Sequence, residues 1–139
     1  MELRDIIKEK LCGRRNKMNI TIDQQGSSKV AIIESNDIVI NNTQDALDLM
    51  ASVKYTDDAH KILMDKSNLT EDFFELKTKL AGDILQKYVN YQVKLAIVGD
   101  FDGYNSKSLR DFIYECNHGK HVFFLSNKED ALQALHNID

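Results

Sequence analysis

Between Leu95 and Glu115 an apolar run, LAIV, ends in Gly99-Asp100 and leads through FDGYN into the helix-like SKSLRDFIYE. That order sets a strand's C-terminal end beside a helix N-terminus, where open α/β sheets build their sites. One loop and one helical turn gather Asp100, Asp102, Tyr104, Ser106, Ser108, Arg110 and Asp111. A carboxylate at a strand end, Asp100, can bind a hydroxyl, an amine or a metal, whereas free helix amides and Arg110 favour an anion. The expected site is mixed in polarity, as small polar ligands often require. The same residues also serve the fold, since Ser108 with Asp111 fits a capping box, Ser106 is an alternative cap and Gly103 relieves the turn.

Other residues of chemical interest are scattered. Lys77 falls one turn after Phe73 and one before Ala81, so its stem either lies along apolar surface or brings an ammonium to an anion. Cys116, His118 and His121 are spaced as Cys-x-His-x-x-His and offer sulfur and nitrogen to zinc, but the cluster crosses a helix-Gly-strand junction that splays the side chains. No metal site is expected, and Cys116, on the pattern Leu109, Phe112, Ile113, Cys116, reads as a small buried hydrophobe. There is no Gly-x-Ser-x-Gly elbow, no phosphate-cradling glycine-rich loop and no His-Glu-x-x-His helix. An enzyme is therefore the lesser reading, and no cofactor is expected.

The elements that must position these residues follow from patterning. A chain of 139 residues, 42% hydrophobic, suits one compact domain. Residues 1–17 stand apart: Leu3, Ile6, Ile7 and Leu11 fall at helical spacing, then CGRRNK breaks the pattern, giving an amphipathic helix and a basic linker ahead of a domain over 18–139. From Met18, Ile20 and Ile22 alternate with polar residues, a QQGSS turn follows, and VAIIE and DIVI continue the sheet. Asn42 or Thr43 caps a helix over about 44–55. Then come the KILM strand, a long helix over about 70–88, the VKLAIV strand, a helix over about 106–117, the HVFFL strand and a helix over about 128–137. Parallel strands are expected over 60–64, 93–99 and 121–125, because a helix long enough for a crossover links each pair. Gly82, in mid-helix beside Ala81, suggests close approach of another element, from this domain or from a second subunit.

Charge and composition narrow the partners. A net charge of -4 argues against non-specific binding to nucleic acid or anionic membrane, and an acidic ligand would need a local basic pocket. No run reaches the roughly 18 apolar residues of a membrane span. The charged N-terminus also lacks a secretory apolar segment, so a cytoplasmic setting is expected. Cys12 and Cys116 form no disulfide framework, and reduced thiols are expected.

The order of a hairpin followed by repeated helix and strand resembles the STAS-type fold of anti-sigma-factor antagonists from Met18 onward. The blocks DFFELKTKLAGDILQKYVNYQVKLAIVGDF and SKSLRDFIYECNHGKHVFF are similar to the centre of the bacterial domain-of-unknown-function family numbered 4180, over about 120 residues. That family carries no activity to transfer. The resemblance implies an α/β fold: a STAS-like mixed sheet with an opening β-hairpin and parallel strands covered by helices. In antagonist-type STAS domains a serine before the long helix is phosphorylated. The matching place here reads Asp65-Lys66-Ser67-Asn68-Leu69-Thr70, making Ser67 the candidate, although the family's glycine and paired hydroxyls are missing and Asn68 and Thr70 also suit helix caps. The same order puts Asp65 beside Asp100, and paired acids can take split pKa values suited to proton transfer.

The expectation is thus a small regulatory or protein-interaction module, with a protein partner and a homodimer anticipated. The alternative is a small polar-ligand binder or enzyme whose pocket lies at the C-terminal ends of the parallel strands. Asp65, Ser67, Lys77, Asp100, Ser106 and Arg110 are the residues expected to bind partner or ligand.

Overall fold

The computed structural model describes residues 18–138. The helix and linker expected over 1–17 lie outside them. Strands β1 (Asn19–Gln25) and β2 (Ser28–Glu34) form an antiparallel hairpin. Its two-residue turn opens on Gly26 at φ 61°, the left-handed value a type II′ turn requires at that place and one that glycine adopts without strain. Helix α1 (Thr43–Asp57) leads to β3 (Lys61–Asp65), and helix α2 (Leu80–Asn90) leads to β4 (Lys94–Val98). Helix α3 (Lys107–Asn117), β5 (Val122–Leu125) and α4 (Lys128–His136) complete the chain. The five strands lie in the order β1-β2-β3-β4-β5, and β2 to β5 are mutually parallel. The protein is an α/β fold, a mixed sheet opened by a hairpin and covered by helices, and the three expected parallel strands are present.

Alternation of side chains divides the core into two layers. Ala31, Ile33, Ile62, Met64, Leu95, Ile97, Val122 and Phe124 face Leu49 and Val53 of α1, Ile84 and Tyr88 of α2 and Leu109 of α3. Val30, Ile32, Leu63, Ala96 and Phe123 face Ala131 and Leu135 of α4. Burial on both faces explains why the inner strands read as continuous apolar runs rather than as alternation. The outer edge of β5 is closed by Asn117, whose side-chain amide accepts from Phe124 N at 2.7 Å and donates to Phe124 O at 3.1 Å, in place of a further strand.

Four local expectations are corrected. DIVI is not a strand: Val39 and Ile40 donate their amides to Asn68 O at 2.8 and 3.0 Å, and Asn68 Nδ2 donates to the carbonyls of Ser35 and Asp37. One buried asparagine thus straps the loop after β2 to the end of β3, leaving Ile40 only an isolated bridge to Leu69. The long helix starts at Leu80, not Thr70, because Phe73 and Phe74 are both buried and the chain takes 3-10 turns over Glu71–Phe74 and Leu76–Thr78 to seat them. Thr78 Oγ1 faces the carbonyls of Asp72 and Glu75 at 2.7 and 2.8 Å, and Lys79 at φ 65° reverses the chain into α2. Gly82 is exposed, and a Cβ built there meets nothing within 4 Å, so the domain's own packing does not require it. Ser106 caps α3, accepting from Leu109 N at 3.1 Å, so the capping box of Ser108 and Asp111 does not form.

Candidate functional site

The C-terminal ends of β3 and β4 lie side by side, with Asp65 in register with Val98. Beyond them the two chains turn in different ways. Asp65 Oδ2 accepts from Ser67 N at 2.9 Å and from Ser67 Oγ at 2.7 Å, capping the 3-10 turn Lys66–Asn68. Asp100 Oδ1 accepts from Asp102 N at 2.9 Å, the local bond that suits aspartate to turns. Each carboxylate therefore organises its own loop, and both remain exposed.

Lys66 joins the two loops. Its ammonium donates to Asp100 O at 2.8 Å and lies 4.6 Å from the Tyr104 ring centroid and 5.9 Å from that of Phe101. A cation over aromatic faces is attracted by the ring quadrupole. The stem reaches this place by crossing Gly99, where a Cβ would stand 2.7 Å from Lys66 Cβ. Gly99 is thus required by close approach, which is the physical content of the VGDF sequence.

An aromatic base supports the loop from below. Tyr104 stacks on Phe74 with centroids 5.3 Å apart, and Phe101 meets Phe124 edge-on at 5.4 Å. The Tyr104 hydroxyl donates to Glu71 Oε2 at 3.2 Å. Desolvation first, then the charge and hydrogen bond of Glu71, push its pKa up to about 12, so the phenol stays protonated and able to donate. Glu71, Phe74, Tyr104 and Ser106 line an open depression of about 280 Å³.

Of the residues singled out in the sequence, Asp65, Ser67 and Asp100 meet around Lys66. Ser106 starts the neighbouring helix and Arg110 lies exposed one turn along it, its amide bonded to Ser106 O. Lys77 lies exposed on the turn Leu76–Thr78, outside α2. Lys66 itself has no motif; its signal is indirect, a lysine following one strand end and a glycine at the neighbouring one. Lys61, at the opposite edge of the sheet, likewise gives no sign of its surroundings in the sequence.

Cys116 and its histidines do not converge. His118 Nδ1 lies 2.8 Å from Tyr114 O, while His121 Nδ1 lies 3.1 Å from Lys94 Nζ. Among the described residues no three His, Cys, Asp or Glu side chains are grouped to hold a metal ion. Burial, and to a lesser extent Glu115, push the Cys116 thiol up to about 11, as expected of a cysteine packed against the core. No helix among the described residues is long and apolar enough to cross a membrane.

No curated protein matches this sequence. The family model described as "Domain of unknown function (DUF4180)" matches residues 25–135, which take in the hairpin turn, all four helices' cores and both loops around Lys66. The chain belongs to the DUF4180 family.

Proposed function

We propose that this chain is a small regulatory module that docks a protein partner on the C-terminal edge of its sheet, around Lys66, Tyr104 and Arg110. The observation that carries this reading is the Lys66 ammonium seated on the Tyr104 ring and tied to Asp100 O. It holds two loops together as one half-exposed aromatic surface beside the exposed Arg110, and tyrosine and arginine are among the residues in which interface hot spots are enriched. The depression beside it, at about 280 Å³, falls just below the usual range of small-molecule pockets. Asp65 and Asp100 already accept backbone amides, which favours docking over acid-base catalysis as their use.

The regulatory half of the reading rests on Ser67 and on the STAS-like order of elements. A phosphate on Ser67 would bring about two negative charges against Asp65, now its hydrogen-bond partner. That repulsion would open the turn carrying Lys66 and with it the docking surface. A homodimer in a cytoplasmic setting belongs to the same proposal.

The test places a photoreactive residue at Arg110 of α3 and, as control, at Lys87 near the C-terminal end of α2. A protein crosslinked only from position 110 is then purified and its affinity measured against Lys66→Met and Arg110→Gln. Loss of about tenfold or more in each, with unchanged denaturation midpoints, is expected. Full binding by both variants, or crosslinking equal at both positions, overturns the assignment.

A further inference from the structure

We infer that Ser28, at the other edge of the sheet where the parallel strands begin, is a nucleophile that takes the acyl group of a small polar carboxylic ester, with His136 as its base and Asp23 orienting that base. Topology brings the three together. Asp23 of β1, Ser28 of β2 and Lys61 of β3 share the face that α4 covers, since Val30 pairs with both Asp23 and Lys61 and Ser28 stands two residues before Val30 on the same strand. His136 ends α4 and meets them there.

Ser28 Oγ lies 2.7 Å from His136 Nδ1, and His136 Nε2 lies 2.7 Å from Asp23 Oδ2. A carboxylate only accepts, so Asp23 holds the ring proton on Nε2 and leaves the Nδ1 lone pair facing Ser28. Lys61, alongside its other interactions, donates its ammonium to Ser28 Oγ at 2.8 Å. An ammonium only donates, so the single proton of the hydroxyl points at Nδ1. Nucleophile, base and orienting carboxylate thus stand in order at hydrogen-bond distance, an arrangement that activates a serine and is recognised by these roles rather than by position in the chain. A clamp between the hairpin and α4 needs only the contact of His136 with Asp23. The hydroxyl on the second nitrogen is what such a clamp leaves unexplained.

The His136 side chain is 2% exposed, which fixes the ring, while Ser28 is half-buried and lines a cleft of about 510 Å³, within the range of small-molecule sites. Gln25, Lys29, His60 and Gln92 give the cleft a polar lining, which favours a polar acyl group. Ser28 Oγ attacks the ester carbonyl carbon and its proton passes to Nδ1; the bond from that carbon to the alcohol oxygen breaks, and the alcohol leaves with the proton. As Oγ bonds to carbon it becomes a poorer acceptor, and the Lys61 N–H that it held turns to the adjacent carbonyl oxygen, where negative charge gathers. Water then repeats the sequence on the acyl carbon, releasing the carboxylic acid and returning the proton to Oγ. This site is independent of the docking surface at the opposite edge.

Incubation of the full chain with an alkyl fluorophosphonate, followed by intact mass and peptide mapping, tests it. The expected product is one phosphonyl adduct on Ser28, fluoride leaving as Oγ bonds to phosphorus, with that adduct absent in Ser28→Ala. His136→Gln is expected to slow labelling about hundredfold or more and Asp23→Asn about tenfold, with Asp23→Glu, which keeps the carboxylate, recovering part of the loss. Should His136→Gln fail to fold, the Asp23 variants carry the test, because that side chain is 40% exposed. Release of p-nitrophenol from p-nitrophenyl acetate, lost in Ser28→Ala, is expected of acyl transfer. No adduct at Ser28, labelling as fast in Asp23→Asn as in the parent, or release of p-nitrophenol that Ser28→Ala leaves unchanged overturns the inference.

Discussion

At the scale of single residues, Gly99 and Cys116 show how far side-chain chemistry depends on neighbours. Lys66 can bridge two loops only because Gly99 leaves its stem room, and the obstructing atom is Lys66 Cβ, near the backbone, which cannot swing aside. Gly99→Ala is therefore expected to cost about 1–3 kcal/mol through forced shifts, read as a lower denaturation midpoint at unchanged denaturant slope. An unchanged midpoint would remove the close approach from the account of the site. Cys116 makes the converse case, since its thiol is packed against the core and its pKa raised to about 11. In a Cys12→Ser background, iodoacetamide at neutral pH is expected to modify the native chain far more slowly than the unfolded chain. Equal rates would show an accessible thiolate.

At the scale of elements, caps and straps decide where helices and strands stop. Asn42 accepts from Asp45 N at 2.8 Å, Asn127 from Asp130 N at 2.8 Å and Ser106 from Leu109 N at 3.1 Å, so α1, α4 and α3 begin at polar residues readable in advance. Helix α2 lacks such a cap and starts instead from the left-handed Lys79. Its glycine gives a test of self-association. Gly82 is exposed with open space beside it, so Gly82→Ala should stabilise an isolated domain by about 1 kcal/mol through helix propensity alone. If Gly82 instead meets a second subunit, the added methyl will weaken the dimer. Sedimentation of the parent, of Gly82→Ala and of a chain starting at Met18 separates these outcomes. Three identical monomer profiles would end the homodimer proposal.

At the scale of the whole molecule, Tyr88 links the helical layer to alkaline stability. The fully buried phenol of α2 donates to Ala46 O of α1 at 2.8 Å, and burial raises its pKa above the ordinary value of 10.0. The native state thus keeps a proton that the unfolded chain releases. This contribution is complete below pH 10.0 and is lost as pH climbs towards the raised native value. Unfolding free energy is expected to fall by about 1.4 kcal/mol per pH unit from this one group once pH passes about 10. Tyr104 adds a limb of the same sign that ends near pH 12. Tyr88→Phe should cost about 1 kcal/mol at neutral pH, because the hydrogen bond from its hydroxyl to Ala46 O is lost, and should shallow the alkaline decline. A decline of unchanged slope would place its origin elsewhere.

Period and punctuation in the sequence determined the α/β class, the hairpin, the parallel strands and, among the described residues, three of the four helix starts to within a residue or so, because caps and alternation are local properties. The Gly99-Asp100 turn marked the end of β4 for the same reason. What tertiary structure alone decided begins where burial competes with propensity: seating Phe73 and Phe74 broke the expected long helix, and Asn68 held DIVI as a strapped loop rather than a strand. Lys66 over Tyr104, and Ser28 between His136 and Lys61, join residues from separate elements. No spacing along the chain encodes them, because strand register and helix docking bring distant residues together only once the sheet has formed.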